Sequence, residues 1–250
     1  MKKKKVALML SGQARYLDNP YSFKSHYKHI LEKYDTDVFS FIWFDKNIKN
    51  FEVSTWSTIK DSCCVDNNTL EKINNKYNPK VLKFESPKFF KFGKNIWNII
   101  QHRFGHELVT NPHWNEKNFS NIISQLYSIE QTANILKSYI KENDMKYDFI
   151  IYSRYDNQLI DFPDLENLSS DYFYLSNHHN EFPDLMFVAG QKFLKAFKYY
   201  SSIIEAVQNI KGLQPEQFKK FTFANNFDLN LLKPILMKVH VVREENDCYD

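Results

Sequence analysis

Hydrophobic residues near the N-terminus form short runs that predict buried strands. Residues 5–10 are apolar after the first lysine and are followed by Ser11-Gly12, while residues 37–43 are rich in aromatic and β-branched side chains. Short runs that are apolar on both faces are typical of strands inside a parallel sheet. Between them, Asp18-Asn19-Pro20 is a helix-start signal, so we expect a helix over about residues 21–34. The first part of the chain therefore predicts a strand–helix–strand unit.

The middle of the chain carries the longest helical pattern. Before it, residues 70–77 predict a short helix and residues 81–84 a third strand. Over about 25 residues, apolar side chains then recur at alternating steps of four and three, the spacing of one helix face. These side chains are Ile122, Leu126, Ile129, Ala133, Leu136 and Ile140. The apolar run at 149–152 follows, and we expect it to be a central strand.

The last third predicts shorter elements. They are strands at 172–175 and 185–189, helices at about 191–209 and 216–225, and a closing strand at 239–243. Strands that alternate with helices at these spacings predict the α/β class. We expect a Rossmann-like, mostly parallel sheet flanked by helices.

Residues 86–118 depart from this pattern. The segment is rich in aromatic residues that follow no clear period: Phe89, Phe90, Phe92, Trp97, Phe104 and Trp114. So many aromatic side chains favour burial, which predicts a lid or an extra helical layer. The chain shows no internal repeat, linker or shift in composition. We therefore predict a single domain over residues 1–250, with this segment as the lid or insertion.

Composition and charge exclude several classes. The 250 residues include 33 Lys and Arg against 30 Asp and Glu, a net charge of +3. A charge so close to neutral does not indicate nucleic-acid binding. Cys63, Cys64 and Cys248 cannot make a disulfide framework, and they lack the C-x-x-C spacing of a zinc site. No run approaches the roughly 18 apolar residues of a membrane span, so we expect a cytoplasmic protein without a transmembrane segment.

The first candidate site is the sequence Ser11-Gly12-Gln13-Ala14-Arg15, directly after the first strand. In open α/β sheets, ligands bind beyond the carboxyl ends of the strands. A glycine there lets the backbone approach a ligand, and backbone N–H groups with Arg15 can hold a nucleotide or phosphate. A tight turn with a surface arginine explains the same residues. Neither G-x-x-x-x-G-K nor G-x-G-x-x-G is present, which disfavours kinase-like and dinucleotide-binding sites.

The second candidate site follows the strand at 149–152. Arg154 and Asp156 stand there in the sequence Ser-Arg-Tyr-Asp-Asn. A carboxylate at the carboxyl end of a strand, beside an arginine, suits Mg²⁺ or Mn²⁺ together with phosphate oxygens. The alternative is a surface ion pair between Arg154 and Asp156 in a turn.

Two further carboxylates are candidates for a general base. Asp184 precedes the strand predicted at 185–189, and Glu216 follows Pro215 at a predicted helix start. Either carboxylate can accept the proton of an acceptor hydroxyl. For Glu216, stabilisation of the helix dipole is the stronger alternative.

These motifs resemble a known group of enzymes. Residues 6–15 (VALMLSGQAR), with a helix and then residues 36–43 (TDVFSFIW), look like the opening of a glycosyltransferase group found in bacterial surface-polysaccharide loci and some large viruses. Residues 147–156 (YDFIIYSRYD) are similar to that group's Arg-x-Asp segment, which stands where GT-A type glycosyltransferases carry Asp-x-Asp. Residues 183–190 and 215–216 resemble its later segments more weakly. The resemblance spans most of the chain, and the first two motifs carry its specificity.

The resemblance implies a GT-A-like fold that binds a nucleotide-sugar at the carboxyl edge of its sheet. The residues it implies for nucleotide-sugar binding are Ser11, Gly12, Gln13, Arg15, Arg154 and Asp156, with Asp156 also meeting a metal–diphosphate. It places Asp184 near the acceptor. Arg154 replaces the first Asp of Asp-x-Asp, and a guanidinium there can itself neutralise a leaving group. Whether Mn²⁺ or Mg²⁺ is required therefore stays open.

The expected function is transfer of a sugar from a nucleotide-sugar to a carbohydrate or other hydroxyl acceptor, in glycan or surface-polysaccharide synthesis. Asp184, or with less support Glu216, would take the acceptor proton. The alternative is a non-catalytic module of the same fold that binds a glycan or nucleotide. Trp97 and Trp114 would then be available for stacking on sugars.

Overall fold

The apolar runs at residues 5–10 and 149–152 lie side by side in a seven-stranded sheet. The computed structural model describes residues 3–47, 50–52, 62–64, 68–91, 93–110, 115–176, 182 and 185–243. The strands are β1 (Lys5–Gln13), β2 (Asp35–Trp43), β3 (Asn50–Glu52), β4 (Ser62–Cys64), β5 (Val81–Glu85), β6 (Phe149–Ser153), β7 (Asn157–Asp161), β8 (Phe173–Ser176), β9 (Phe187–Ala189), β10 (Leu232–Ile235) and β11 (Lys238–Val241). The α-helices are α1 (Pro20–His26), α2 (Thr69–Tyr77), α3 (Lys94–Thr110), α4 (Glu116–Asn143), α5 (Ile203–Asn209) and α6 (Pro215–Ala224).

The strand order of the main sheet is β10-β8-β9-β6-β1-β2-β5. Strand β1 is parallel to both β2 and β6, and the β2–β5 and β8–β10 pairs are parallel as well. Only β9 runs antiparallel to its two neighbours within this sheet. Two small antiparallel pairs, β7 with β11 and β3 with β4, complete the described strands. The predicted α/β class with a mostly parallel sheet flanked by helices is confirmed.

Helices cover both faces of the sheet because its central strands are apolar on both sides. Residues 6–10 of β1 are all fully buried, and they contribute alternately to two hydrophobic clusters. One cluster contains buried side chains of α4, α5 and α6. The other contains Ile73 and Tyr77 of α2 and Ile30, which follows α1. In this three-layer arrangement the central strands are buried between the helices, so functional side chains are expected at the ends of these strands.

The long amphipathic pattern becomes α4, a helix of 28 residues. Asn115 caps its start by accepting a hydrogen bond from the backbone N–H of Asn118, and Asp144 ends it in the left-handed conformation. Leu126, Ile129 and other apolar side chains of its predicted face are buried against the sheet. The predicted helix and the strand after it are confirmed.

The order of the strands reverses between β1 and β6. From β1 the chain continues to β2 and β5 on one side, and it later places β6 on the other side of β1. The connections that leave the carboxyl ends of β1 and β6 therefore diverge. In open α/β sheets, such a reversal opens a crevice in which ligands bind.

Several predicted boundaries are wrong. The helix expected over about 21–34 divides into α1 and a π-helix at Tyr27–Leu31. Strand β1 does not stop before Ser11 but continues to Gln13, because β2 is equally long and pairs with it residue by residue as far as Trp43. The helix expected over 191–209 is a 3₁₀ helix at Gln191–Ala196 followed by turns and α5. The carboxylate of Glu130 on α4 accepts the backbone N–H groups of Tyr200 and Ser201 at 2.8 and 3.0 Å, which accounts for the interruption.

The aromatic segment 86–118 contains α3, which bends at Phe104. Arg103 anchors this helix by donating to the backbone carbonyls of Val207 and Ile210 at and beyond α5. Trp114 lies outside the described residues, and the single-domain assignment stays a prediction. In the part of the chain that the structure covers, no helix combines the length and apolar character that a membrane crossing needs.

Candidate functional site

A tight turn at the end of β6 brings Arg154 and Asp156 together. The backbone N–H of Asn157 donates to the carbonyl of Arg154 at 3.4 Å and closes the turn. Arg154 Nε donates to Asp156 Oδ1 at 2.8 Å, and its Nη2 donates to Oδ2 at 2.6 Å. This is the bidentate arginine–carboxylate geometry. The ion pair exists, but it is not a surface pair, because Asp156 is only 1% exposed.

Arg15, two residues beyond β1, binds the same carboxylate. Its Nη2 donates to Asp156 Oδ2 at 2.7 Å. The contact follows from the fold, since β1 and β6 are parallel neighbours and chain segments just past their carboxyl ends meet at one edge. Burial alone would raise the pKa of Asp156, but the charges of Arg154 and Arg15 outweigh it and lower this pKa to about 2. Asp156 is therefore ionised at neutral pH.

Arg243 is a third arginine at this cluster. The backbone N–H of the preceding residue, Val242, donates to the carbonyl of Asp156 at 2.8 Å, which brings the end of β11 to the turn. Burial lowers the pKa of Arg243, and its charge interacts with those of Arg154, Asp156 and Arg15. We call Arg15, Arg154, Arg243 and Asp156 the arginine cluster. Sequence reasoning missed Arg243; its place at the end of the predicted strand 239–243 is the only signal that pointed to it.

A buried histidine lies behind the turn. His26 is fully buried, with its ring nitrogens 3.0 Å from the hydroxyls of Tyr77 and Ser153. Burial lowers the pKa of His26 to about 3, so its imidazole is neutral at physiological pH. The side-chain amide of Asn157 donates to Ser153 Oγ at 3.1 Å. These contacts join α1 and α2 to both ends of the turn that holds Arg154 and Asp156.

Two buried polar atoms at the site lack a hydrogen-bond partner among the described residues. They are Nε of Arg15, a donor, and Oδ1 of Asn157, an acceptor. Buried polar atoms are rarely left without a partner in folded proteins, because desolvation without a replacement bond is costly. An acceptor oxygen next to Arg15 would satisfy the first atom. The cluster is thus suited to an anion.

The carboxylate of Asp156 fits a divalent cation poorly. Both oxygens already accept guanidinium N–H groups, and the nearest charges are positive. Within the described ranges, no three His, Cys, Asp or Glu side chains are grouped so that they could hold a metal ion. The groups at this edge are instead those that bind phosphate oxygens directly.

Comparison with known proteins gives a structural likeness only. No protein-family model matches the chain, and neither does any curated protein. The glycosyltransferase GlyE of Streptococcus pneumoniae TIGR4 has a TM-score of 0.39 and 9% identity, over 94% of this chain and 45% of GlyE. The mannosyltransferase Ktr4p of S. cerevisiae, solved in complex with GDP, has a TM-score of 0.38 and 11% identity, over 89% of this chain and 52% of Ktr4p. The chain spans about half the length of these two structures, and a likeness of this size assigns it neither a family nor a reaction.

The first predicted motif is only partly a loop. Ser11, Gly12 and Gln13 are the last residues of β1, and they pair with Phe41, Ile42 and Trp43 of β2. Ser11 is buried, and its hydroxyl donates to that of Tyr152 at 3.4 Å. Gly12 has φ of +99°, a conformation that favours glycine, and Gln13 is partly exposed. The contact of this motif with Asp156 is made by Arg15.

Asp184 lies outside the described residues, but its neighbour in the chain does not. The carbonyl of Leu185 accepts a hydrogen bond from the side-chain amide of Asn157 at 2.8 Å. The contact arises because β9 is antiparallel to β6, so the start of β9 lies beside the end of β6. The chain therefore returns to the arginine cluster at the residue directly after Asp184.

Glu216 lies in a different layer. It belongs to the first turn of α6, whose residues Phe218 and Phe223 pack in the cluster with α4. Tyr155, between the two residues of the ion pair, packs in the cluster on the other face of the sheet. Trp97 is half-buried and packs against the same cluster as α6, so much of its surface is not available for stacking on a sugar.

Proposed function

We propose that this protein is a nucleotide-sugar-dependent glycosyltransferase of the GT-A type. The observation that carries the proposal is the arginine cluster at the point where the strand order reverses between β1 and β6. A diphosphate is the part of a nucleotide-sugar that needs such a site, because it is doubly charged and rich in acceptor oxygens. The motif resemblance described above supports the same assignment.

In the proposed reaction, an acceptor hydroxyl oxygen bonds to the anomeric carbon of the donor sugar. The bond between that carbon and the diphosphate oxygen breaks, and its electron pair leaves with the nucleoside diphosphate. The hydroxyl proton passes to a base of the protein. Arg15 and Arg154 stabilise the charge that develops on the departing diphosphate, which is where preorganised cations lower a barrier most.

We assign the base to Asp184, with Glu216 as the second candidate. The support is positional: the carbonyl of Leu185, the next residue, bonds to Asn157 at the arginine cluster. Asp184→Asn keeps the shape of the side chain but removes most of its basicity. We expect kcat to fall by about 10²–10⁴-fold with donor binding retained. Glu216→Gln, the matched change, should leave kcat within a few-fold; the reverse result would transfer the role to Glu216.

The binding site is tested by a thermal-shift screen with UDP, GDP, ADP, CDP and dTDP. A ligand at 100 times its Kd adds about 2.7 kcal/mol, which raises the Tm of a chain this long by roughly 5–10 °C. Arg154→Ala should weaken binding of the nucleotide that the screen identifies by about 10–100-fold, the value of a charge-assisted hydrogen bond. Lys192→Ala, which removes an exposed cation that is paired with Asp171, is the control.

The outcomes separate enzyme from binding module. Binding with transfer to a hydroxyl acceptor supports the glycosyltransferase. If nucleotide binding is tight and Arg154→Ala weakens it, but neither sugar transfer nor donor hydrolysis occurs with any acceptor tested, the protein is a non-catalytic binding module. If no nucleoside diphosphate raises the Tm, the site does not bind nucleotide-sugars.

A further inference from the structure

The charges of the arginine cluster match those of a diphosphate without help from a metal ion. Three guanidinium groups and one carboxylate leave two net positive charges among these side chains. The diphosphate of a nucleotide-sugar carries two negative charges, one on each phosphate. Planar guanidinium groups can each meet two phosphate oxygens.

The motif resemblance implies a metal-binding role for Asp156, but the partners of this carboxylate are guanidinium groups. Its Oδ1 accepts from Arg154, and its Oδ2 accepts from both Arg154 and Arg15, all within 2.8 Å. A divalent cation that bound these oxygens would have to displace the guanidinium groups and then lie beside them as a like charge. The carboxylate is also fully enclosed, at 1% exposure, so it offers little room for a hydrated ion.

We infer that this protein neutralises the diphosphate with Arg15, Arg154 and Arg243 and does so without a divalent cation. The inference rests on the proposed function for the identity of the ligand. Asp156 is then a positioning residue: it fixes two guanidinium groups, each of which keeps N–H groups that Asp156 does not bind. The Nε of Arg15, which has no partner among the described residues, is such a group.

Arg243 is the residue that distinguishes this arrangement from a simple ion pair. It comes from the far end of the chain, and the Val242–Asp156 backbone hydrogen bond holds it next to the turn. Arg243 contributes charge to the cluster from a partly exposed position. An incoming phosphate can therefore reach it from the solvent side.

The test is titration calorimetry with inorganic pyrophosphate, in EDTA and then in excess Mg²⁺. We expect pyrophosphate to bind in EDTA, and Mg²⁺ to tighten this binding by less than about threefold. Arg243→Ala should weaken binding in EDTA by at least about tenfold, as expected for the loss of a charged hydrogen-bond donor. Arg243→Gln is a second variant, which removes the charge but keeps a polar side chain, in case the alanine variant does not fold. Lys192→Ala should bind as the wild type does.

Each outcome bears on the inference separately from the proposed function. Binding of pyrophosphate that occurs only with Mg²⁺, no binding in either buffer, or unchanged binding by both folded Arg243 variants would overturn it. Sugar transfer that needs Mn²⁺ or Mg²⁺ would also overturn it while leaving the glycosyltransferase intact. Binding in EDTA that depends on Arg243, in a protein that binds no nucleoside diphosphate, would support the metal-free anion site and remove the glycosyltransferase assignment.

Discussion

Two guanidinium groups hold the buried carboxylate of Asp156 at 2.6–2.8 Å, so its negative charge is compensated inside the protein. In such a set, removing one partner lowers the free energy of unfolding by more than the lost hydrogen bond contributes, because an uncompensated charge stays buried. This differs from the expectation for a solvent-facing residue, whose removal costs little stability. The sequence shows that Arg154 and Asp156 are close, but it does not show that Arg15, more than a hundred positions away, encloses them.

Asp156→Asn should lower the free energy of unfolding at pH 7 by about 3–5 kcal/mol. The effect should also depend on pH. The pKa of Asp156 is lowered from 3.8 to about 2 in the folded state, so its stabilisation is complete above pH 4 and is lost as the pH falls toward 2. The difference between wild type and variant should therefore shrink by about 2 kcal/mol between pH 5 and pH 2. Urea unfolding at a series of pH values measures it.

The control for this measurement is Asp164→Asn. Asp164 also pairs with a cation, Lys33 at 3.1 Å, but its side chain is 43% exposed. Water screens such a pair, so its loss should change stability far less. If both variants lose the same stability, or if the difference between wild type and Asp156→Asn stays constant with pH, the buried charge set is not the cause.

At the scale of the secondary-structure elements, the turn after β9 approaches another backbone segment closely. This approach restricts which residue can stand at position 190. A Cβ placed on Gly190, directly after β9, would lie 1.8 Å from the carbonyl oxygen of Ser170, a backbone atom that cannot rotate away. The sequence marks Gly190 correctly as a boundary. It does not show why the position needs glycine, because the neighbour is twenty residues distant in the chain. The interrupted helix at 191–209 is a similar case, since its cause is Glu130 on another element.

Gly190→Ala should destabilise the protein by more than about 2 kcal/mol, since the backbone must move to accept the methyl group. Gly105→Ala is the matched change. Gly105 lies within α3, where a Cβ meets nothing within 4 Å, so alanine should be neutral or stabilise by up to about 1 kcal/mol. Urea unfolding of the two variants tests this. Equal effects would mean that the contact at Ser170 relaxes without cost.

At the scale of the whole molecule, the strands that carry the site, β1 and β6, are deeply buried. Strand β1 pairs on both sides, with β2 and β6, and lies between two hydrophobic clusters. Among the described strands, β10 pairs only with β8, and it is partly exposed along its length. The fold class and the central strands follow from hydrophobic pattern alone because the sheet is buried on both faces. The edge strand β10 and strand β7 have no such pattern, and the sequence does not predict them.

Hydrogen exchange should reproduce this difference. We expect amides of residues 6–10 in β1 to exchange only through global unfolding, and those of β10 to exchange at least about tenfold faster through local opening. Mass spectrometry of peptides from the two strands measures the rates. Equal protection of β1 and β10 would show that the sheet opens as one unit.

The antiparallel direction of β9 has a consequence for how this protein can diversify. Because β9 starts where β1 and β6 end, three described parts of the chain meet at the same edge: Arg15 after β1, the turn after β6, and Leu185 before β9. In the part of the chain that the structure describes, none of these three places belongs to a strand of the seven-stranded sheet, so the residues around them can vary without repacking it. Natural divergence, or a loop library that leaves Arg15, Arg154, Asp156 and Arg243 unchanged, can therefore alter which ligands bind at this edge while the sheet stays intact.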